Sequence, residues 1–166
     1  MDTTQELIAE LEKFNGWVLS IQNMDENLFF EPIKEGKWSP AEIITHITFW
    51  DRYILEEILP AMKQDAEIVS AEFETINLKA SQYALSGIPL QQIIQNQIMS
   101  RNNIVTALKG KTEEDFFARF TLNGEEIDSY SGYPHTMFNY FASFVWHDNH
   151  HKKQVENFLS ERHVEL

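Results

Sequence analysis

Four long segments of the chain repeat apolar residues at intervals of three and four, which is the spacing of amphipathic helices. They cover residues 3–24, 39–62, 89–110 and 136–160. The start of the second segment is the clearest, because Ser39-Pro40-Ala41-Glu42 combines a capping box with proline at the first helical position. The third segment opens after Pro89 and stops at Gly110. The pattern therefore predicts four long helices.

The segments between these helices are less regular. Residues 25–37 do not have the helical spacing of apolar residues, so they are predicted to be a connection. In residues 63–87 this spacing is weak, and it suggests one more helical stretch around Phe73 to Ala84 whose ends the pattern does not define. Thr112 and Asp115 resemble a short capped turn, and residues 120–134 contain Asn123-Gly124, which is typical of a hairpin. We predict an all-α fold in a single domain over residues 1–166, an antiparallel four-helix bundle with an elaborated connection before the last helix.

Composition and charge narrow the class of function. The chain has 166 residues, of which 43% are hydrophobic and 13% aromatic, as expected of a packed globular protein. The formal charge of −13 disfavours binding to nucleic acid or to anionic membranes. No stretch approaches the length of a membrane span, and the acidic N-terminal segment does not resemble a signal peptide, so we expect a cytoplasmic protein. The chain contains no cysteine, so any metal must be bound by histidine and carboxylate.

The last predicted helix carries the candidate chemistry. His147 and His151 are four residues apart and therefore lie on one helical face, as two ligands of one metal ion would. At 100° per residue, His151 falls within the apolar sector of this helix and His147 on its edge, while His150 is rotated toward solvent. Asp148 projects near the same apolar sector, where an unpaired carboxylate would be costly. A metal ion or a protonated histidine beside Asp148 would remove that cost.

A third histidine points into the same core from the second helix. His46 lies on the flank of its apolar face, and each buried imidazole needs a hydrogen-bond partner or a metal ion. One divalent metal held by His46, His147 and His151 explains all three, with an open position for water. Chance spacing of six histidines, or a structural site completed by Asp148, His150 or Glu57, stays open as an alternative. Trp50 and Tyr53 either line a pocket beside His46 or pack in the core.

The two histidine regions together resemble a known family. The string WSPAEIITHITFWD, from Trp38 to Asp51, and the string HDNHHKKQ, which ends at Gln154, are similar to motifs of the DinB/YfiT-like superfamily in residue types and spacing. The resemblance covers nearly the whole chain. It implies a four-helix bundle of up-down-down-up topology, often dimeric, in which residues corresponding to His46, His147 and His151 bind a divalent metal, commonly zinc or nickel.

The resemblance also implies a range of activities, which include metal-dependent hydrolysis and transfer reactions that use a low-molecular-weight thiol. The main hypothesis is a metal-dependent enzyme, a hydrolase or a thiol-dependent S-transferase acting on a small molecule, with the thiol supplied from outside the protein. Asp148 would orient a ligand histidine from a second layer, and Trp50 and Tyr53 would line the substrate side. The alternative is a non-catalytic bundle that binds a small ligand or a partner, with a structural or vestigial metal site. Neither a nucleophile elbow nor a phosphate-binding loop is present.

Overall fold

The computed structural model of the protein describes residues 1–162 and consists mainly of helices. The helices are α1 (Thr4–Ser20), α2 (Glu26–Phe29), α3 (Pro40–Tyr53), α4 (Phe73–Ala84), α5 (Leu90–Lys109), α6 (Glu113–Phe117) and α7 (Met137–Glu161), and the strands are β1 (Glu67–Ile68) and β2 (Thr121–Leu122). The long helices α1, α3, α5 and α7 correspond to the four predicted segments. Among the described residues, no helix is both long and apolar enough to span a bilayer.

The helix that carries His46 is anchored at its first turn. The Ser39 side chain accepts a hydrogen bond from the Glu42 backbone N–H, and the Glu42 carboxylate accepts one from the Ser39 N–H at 3.1 Å, which confirms the predicted capping box. The helical path continues past Tyr53 through a π-helical turn (Ile54–Ile58) and a 3₁₀ turn (Leu59–Ala61). The predicted second helix is therefore correct in extent, but its last two turns are not α-helical.

The connections contain short elements besides the four long helices. Residues 25–37, which were expected to be irregular, contain the short helix α2, whose first turn is capped by the Asp25 side chain. Segment 63–87 contains α4, which confirms the helical stretch expected there, and the short strand β1. Leu122 and Glu125 exchange backbone hydrogen bonds of 2.9 and 3.0 Å across Asn123-Gly124, which confirms the hairpin expected in residues 120–134. The pattern did not indicate that β2 also pairs in parallel with β1, which lies more than fifty residues earlier in the chain. The Asn123 side chain accepts from the Ser70 N–H and so joins the two connections.

The core of the bundle has two apolar clusters with a polar layer between them. One cluster contains Leu7 and Leu11 of α1, Ile104 to Leu108 of α5 and the first half of α7. The other contains Phe14 to Ile21, the first turns of α3 and α5, and the last turns of α7. Between them lie buried polar side chains from the middle of three helices, namely His46, Thr48, Asp51, Gln97, Ser100, Arg101, Asp148 and His151. The candidate chemistry therefore lies at mid-height in the bundle.

Candidate metal centre

The long helix α7 presents its histidines as the helical phase predicts. Its first turn is capped by the Thr136 side chain, which accepts from the Asn139 N–H. His151 is buried and His147 is half-buried, whereas His150 is exposed and stacks on Trp146 with 5.4 Å between ring centroids. The pair four residues apart therefore faces inward, and the intervening histidine does not.

His46 of α3 meets this pair across the bundle. The Nε2 atom of His147 lies 3.3 Å from Nε2 of His46 and 3.1 Å from Nε2 of His151. One ligand atom of each of the three histidines lies within 4.8 Å of the other two. Within residues 1–162, this group of potential ligands contains the three predicted histidines and no carboxylate. Glu57 and His150, the alternative fourth ligands, are exposed and lie outside the group.

Two of the three imidazoles are held from behind by an amide side chain. The Nδ1 atom of His46 lies 2.7 Å from the Asn77 side-chain oxygen, and Nδ1 of His151 lies 2.8 Å from that of Gln154. With Nδ1 carrying the hydrogen, the Nε2 lone pair of each ring is free for a ligand. The Nδ1 atom of His147 is buried and has no hydrogen-bond partner among the described residues. The centre is therefore asymmetric, with two anchored rings and one unanchored ring.

The surroundings keep all three rings neutral near pH 7. Burial, and then the neighbouring His151, lower the pKa of His46 to about 4, against the opposing effect of the hydrogen bond to Asn77. Burial lowers the pKa of His147 to about 3, with further lowering from His151 and His46. Burial also lowers the pKa of His151, although its hydrogen bond to Gln154 acts in the opposite direction. Neutral imidazole is the form that binds metal ions.

Asp148 does not orient a ligand histidine in this structure, so the role expected from the sequence needs correction. Both of its carboxylate oxygens accept hydrogen bonds from the Arg101 guanidinium, at 2.7 and 3.0 Å. The positive charge that Asp148 requires thus comes from arginine, and the hydrogen bonds to Nδ1 of His46 and His151 come from the amides of Asn77 and Gln154. Burial raises the pKa of Asp148 to about 6, while Arg101 acts to lower it.

Arg101 also binds Asp51 of α3, whose oxygens lie 3.1 and 3.2 Å from its guanidinium nitrogens. The remaining donor of the guanidinium reaches the Leu11 carbonyl of α1 at 3.2 Å. Arg101 and Asp51 are both 0% exposed. Burial by itself would lower the pKa of Arg101, but Asp148 and Asp51 together raise it, so the arginine stays charged. One buried arginine thus links the two helices that carry the clustered histidines, α3 and α7, to α1 and α5.

The sequence interpretation missed both Arg101 and Asn77. A signal for Arg101 was present, because Gln97 and Arg101 lie on the stripe that Ile94, Ile104 and Leu108 define at helical spacing, and a charge on such a stripe needs a buried partner. Asn77 had no such signal. It lies on α4, whose pattern was weak, and only tertiary packing brings α4 against His46.

Trp50 and Tyr53 lie beside the histidines on α3. The Trp50 ring is buried, 6.4 Å from the His46 ring, and packs against Tyr53 at 5.6 Å and Phe73 at 5.2 Å, each measured between ring centroids. The Tyr53 hydroxyl accepts from the Ala71 backbone N–H at 2.7 Å. From α7, the Phe144 ring lies 5.5 Å from the His147 ring. Aromatic side chains thus flank the centre on two helices.

Comparison with known proteins identifies the family and the fold of the chain. The family model described as DinB superfamily matches residues 6–155. The chain belongs to the DinB superfamily. The solved structure of YfiT from Bacillus subtilis, described as a probable metal-dependent hydrolase with an unusual four-helix bundle topology, superposes with a TM-score of 0.72 at 13% sequence identity. The match covers 99% of this chain and 90% of YfiT, so this DinB-superfamily chain has the four-helix bundle fold. No curated protein matches the chain.

Proposed function

We propose that the protein is a metal-dependent enzyme whose divalent cation is held by the Nε2 atoms of His46, His147 and His151. The convergence of these three atoms carries the proposal. Tetrahedral coordination with zinc–nitrogen bonds of 2.0 to 2.1 Å separates ligand nitrogens by about 3.3 Å. The two Nε2 separations at His147, 3.1 and 3.3 Å, are of that size.

The types of ligand atom indicate which metal ions this site would bind. Three neutral imidazoles without a thiolate suit zinc and nickel alike. Three protein ligands are also the number found in catalytic zinc sites, which keep a position for water or substrate, whereas structural sites use four. Because Asp148 is engaged by Arg101 and Glu57 is exposed, no carboxylate of the described residues completes the set.

A cation bound by three imidazoles can lower the pKa of a water molecule to about 7 and thereby supply a nucleophile at neutral pH. The residues of this chain would hold the ligand rings and exclude bulk water. Hydrolysis is the first candidate reaction, in keeping with the description of YfiT as a probable metal-dependent hydrolase. Thiol-dependent S-transfer is the second, and its thiol would come from a separate small molecule because the chain has no cysteine.

The substrate side of the centre is proposed to lie along Trp50 and Tyr53. Both are on the same side of α3 as His46, and Phe144 extends an aromatic surface from α7 to His147. Aromatic rings next to a polar centre favour a small molecule with an apolar portion. We expect Tyr53→Leu to raise KM for such a substrate and to leave the metal content at about one ion per chain.

Metal stoichiometry tests the proposal directly. Protein purified without a histidine tag and loaded with zinc or nickel should retain about one ion per chain, measured by plasma mass spectrometry after desalting. His151→Ala should reduce this content to near zero. His150→Ala is the matched control, since His150 is the adjacent histidine, is exposed and lies outside the cluster. Equal metal content in the two variants would contradict the proposed ligand set.

Activity assays separate the reaction classes. Metal-loaded protein should be assayed against a panel of esters and amides, and against the electrophile monochlorobimane with a low-molecular-weight thiol. Turnover without thiol that is lost in His151→Ala indicates a hydrolase, and turnover that requires the thiol indicates a transferase. A metal-loaded protein without turnover in either series, whose histidine variants change thermal stability alone, would support the non-catalytic alternative.

A further inference from the structure

The side-chain oxygen of Asn77 accepts two hydrogen bonds at the edge of the metal centre. It lies 2.7 Å from Nδ1 of His46 and 3.0 Å from Nε1 of Trp50. An amide oxygen has two lone pairs, so these two contacts use its full capacity. Asn77 itself is half-buried on α4, the helix that the sequence pattern indicated least clearly.

The indole of Trp50 determines which way the Asn77 amide points. The indole nitrogen can only donate, so the atom of Asn77 that faces it must be the oxygen and not the amide nitrogen. The same oxygen then requires a hydrogen on Nδ1 of His46. In this arrangement His46 is the Nδ1–H tautomer, and its Nε2 lone pair points toward His147. Within residues 1–162, Gln154 has no second hydrogen-bond partner that fixes the orientation of its amide, so His151 lacks the same constraint.

Helix α4 contacts α3 at a second point that is independent of the histidines. The Ser81 hydroxyl donates to the Glu42 carboxylate at 2.6 Å, next to the capping box of α3. Only Ala80 and Ala84 of α4 are buried, and Phe73 at its start is 68% exposed although it packs on Trp50. Hydrogen bonds therefore contribute much of the docking of α4, and one of them ends on a proposed metal ligand.

We propose that Asn77 is a positioning residue of the metal centre, which, together with Trp50, fixes His46 in the Nδ1–H tautomer and so couples metal binding to the docking of α4. This inference rests on the proposed function for its metal. Hydrogen-bond partners behind a ligand histidine typically change metal affinity 10- to 100-fold when removed.

Two substitutions on α4 separate tautomer control from helix docking. Asn77→Leu removes the acceptor at nearly constant size, whereas Ser81→Ala removes the hydrogen bond from α4 to Glu42 and leaves the histidines untouched. We expect zinc affinity, measured by competition with a chromogenic chelator, to fall roughly 10- to 100-fold in Asn77→Leu and to stay within about twofold of the wild type in Ser81→Ala. Asn77→Asp keeps an acceptor oxygen for both donors and should restore the affinity. Equal affinities of Asn77→Leu and Ser81→Ala would overturn the proposal.

A second readout does not require metal. Two-bond ¹H–¹⁵N spectra of the metal-free protein at pH 8 report the tautomer of each histidine. We expect His46 to be Nδ1–H in the wild type and in Asn77→Asp, and to gain the Nε2–H form in Asn77→Leu. If Asn77→Leu does not fold, Trp50→Phe provides a second variant. It removes the indole donor that fixes the Asn77 amide, so His46 should again be a mixture of the Nδ1–H and Nε2–H tautomers. A His46 tautomer unchanged in the variant that folds would refute the positioning role. Absence of metal binding by the wild type would instead refute the proposed function.

Discussion

At the scale of single residues, the centre consists of three imidazoles that the fold keeps neutral. The rings of His46 and His151 are anchored through Nδ1, and all three Nε2 atoms point to one place. Burial and the neighbouring rings make protonation of His46 and His147 less favourable in the folded chain than in the unfolded chain. Binding of a cation by the neutral rings would instead stabilise the folded chain.

Acid should destabilise the metal-free protein through these rings. The pKa values of His46 and His147 are about 4 and 3 when folded and near 6.5 when unfolded, so the unfolded chain binds protons first. Their contribution to the free energy of unfolding is complete above pH 6.5 and is lost as pH falls toward 4, at up to about 1.4 kcal/mol per group and pH unit. Urea unfolding in the presence of a chelator, from pH 7.5 to 4, measures this loss.

His147→Gln is the comparison for this pH dependence. Asp148 acts in the opposite direction, because its raised pKa of about 6 makes the folded protein bind a proton there more readily than the unfolded chain. That contribution is shared by the wild type and His147→Gln, so the difference between their slopes reports the histidine. A slope that is identical in both proteins would show that the His147 ring is not held neutral by folding.

At the scale of elements, three helices form the centre. Helix α3 supplies His46, α4 supplies the Asn77 amide that binds it, and α7 supplies His147 and His151. The Ser39 capping box sets where α3 begins, and the regular α-helix that follows puts His46, Trp50 and Tyr53 on neighbouring turns. The change to a π-helical turn comes only after Tyr53, beyond the residues that face the centre. The geometry of the site therefore depends on a short, well-capped stretch of helix.

Ser39→Ala should lower the free energy of unfolding by about 1 kcal/mol, because the Glu42 N–H loses its side-chain acceptor at a buried cap. The Glu42 carboxylate also loses the Ser39 hydroxyl as a donor, but it keeps the Ser39 N–H and the Ser81 hydroxyl. Chemical denaturation with far-ultraviolet circular dichroism measures the change. Thr112→Ala removes the equivalent capping box of α6, which is solvent-exposed, and we expect a smaller loss there. A larger loss in Thr112→Ala than in Ser39→Ala would show that the α3 cap contributes less to the free energy of unfolding than the α6 cap does.

At the scale of the whole molecule, the bundle has a polar layer between two apolar clusters. The ionic part of this layer, Arg101 with Asp51 and Asp148, joins α3, α5 and α7, while the Leu11 carbonyl adds α1. Asp51 follows His46 by little more than one turn, and Asp148 is adjacent to His147. The buried ion network therefore restrains the relative positions of the two helices that supply the proposed ligands.

Arg101→Leu should destabilise the protein by about 3 to 5 kcal/mol, because it leaves two buried carboxylates without a cation. The added changes Asp51→Asn and Asp148→Asn should recover part of the loss, since neutral amides are cheaper to bury than charges. Urea unfolding of the single and triple variants at pH 7.5 provides the test. A loss below about 1 kcal/mol in Arg101→Leu would mean that water or rearrangement compensates for the missing cation.

Metal binding should stabilise the folded molecule as a whole. At a free zinc concentration of 100 times Kd, the gain is about 2.7 kcal/mol, which corresponds to roughly 5 to 11 °C in Tm for a chain of this size. Differential scanning calorimetry of chelator-treated protein, with and without added zinc, measures the shift. We expect no shift in His151→Ala and a full shift in His150→Ala, and a full shift in both would exclude the proposed centre.

Much of this architecture could be predicted from the sequence because it depends on local interactions. Helical period defined α1, α3, α5 and α7, the capping box set the start of α3, and phase along α7 separated His147 and His151 from His150. These features are determined by residues within a few turns of one another. The prediction that His46 lies near His147 and His151 needed only one further assumption, that its helix faces the same core as α7.

Tertiary structure alone decided what lies behind and beside the histidines. The partner of Asp148 is an arginine on α5, the partner of His46 is an asparagine on α4, and β2 pairs with β1 across more than fifty residues. Each of these contacts joins residues that are distant in the chain, and a side chain's period along its own helix carries no information about which helix packs against it. The sequence by itself thus determined which residues are candidate metal ligands, and the packing of the bundle decided how those residues are oriented and held.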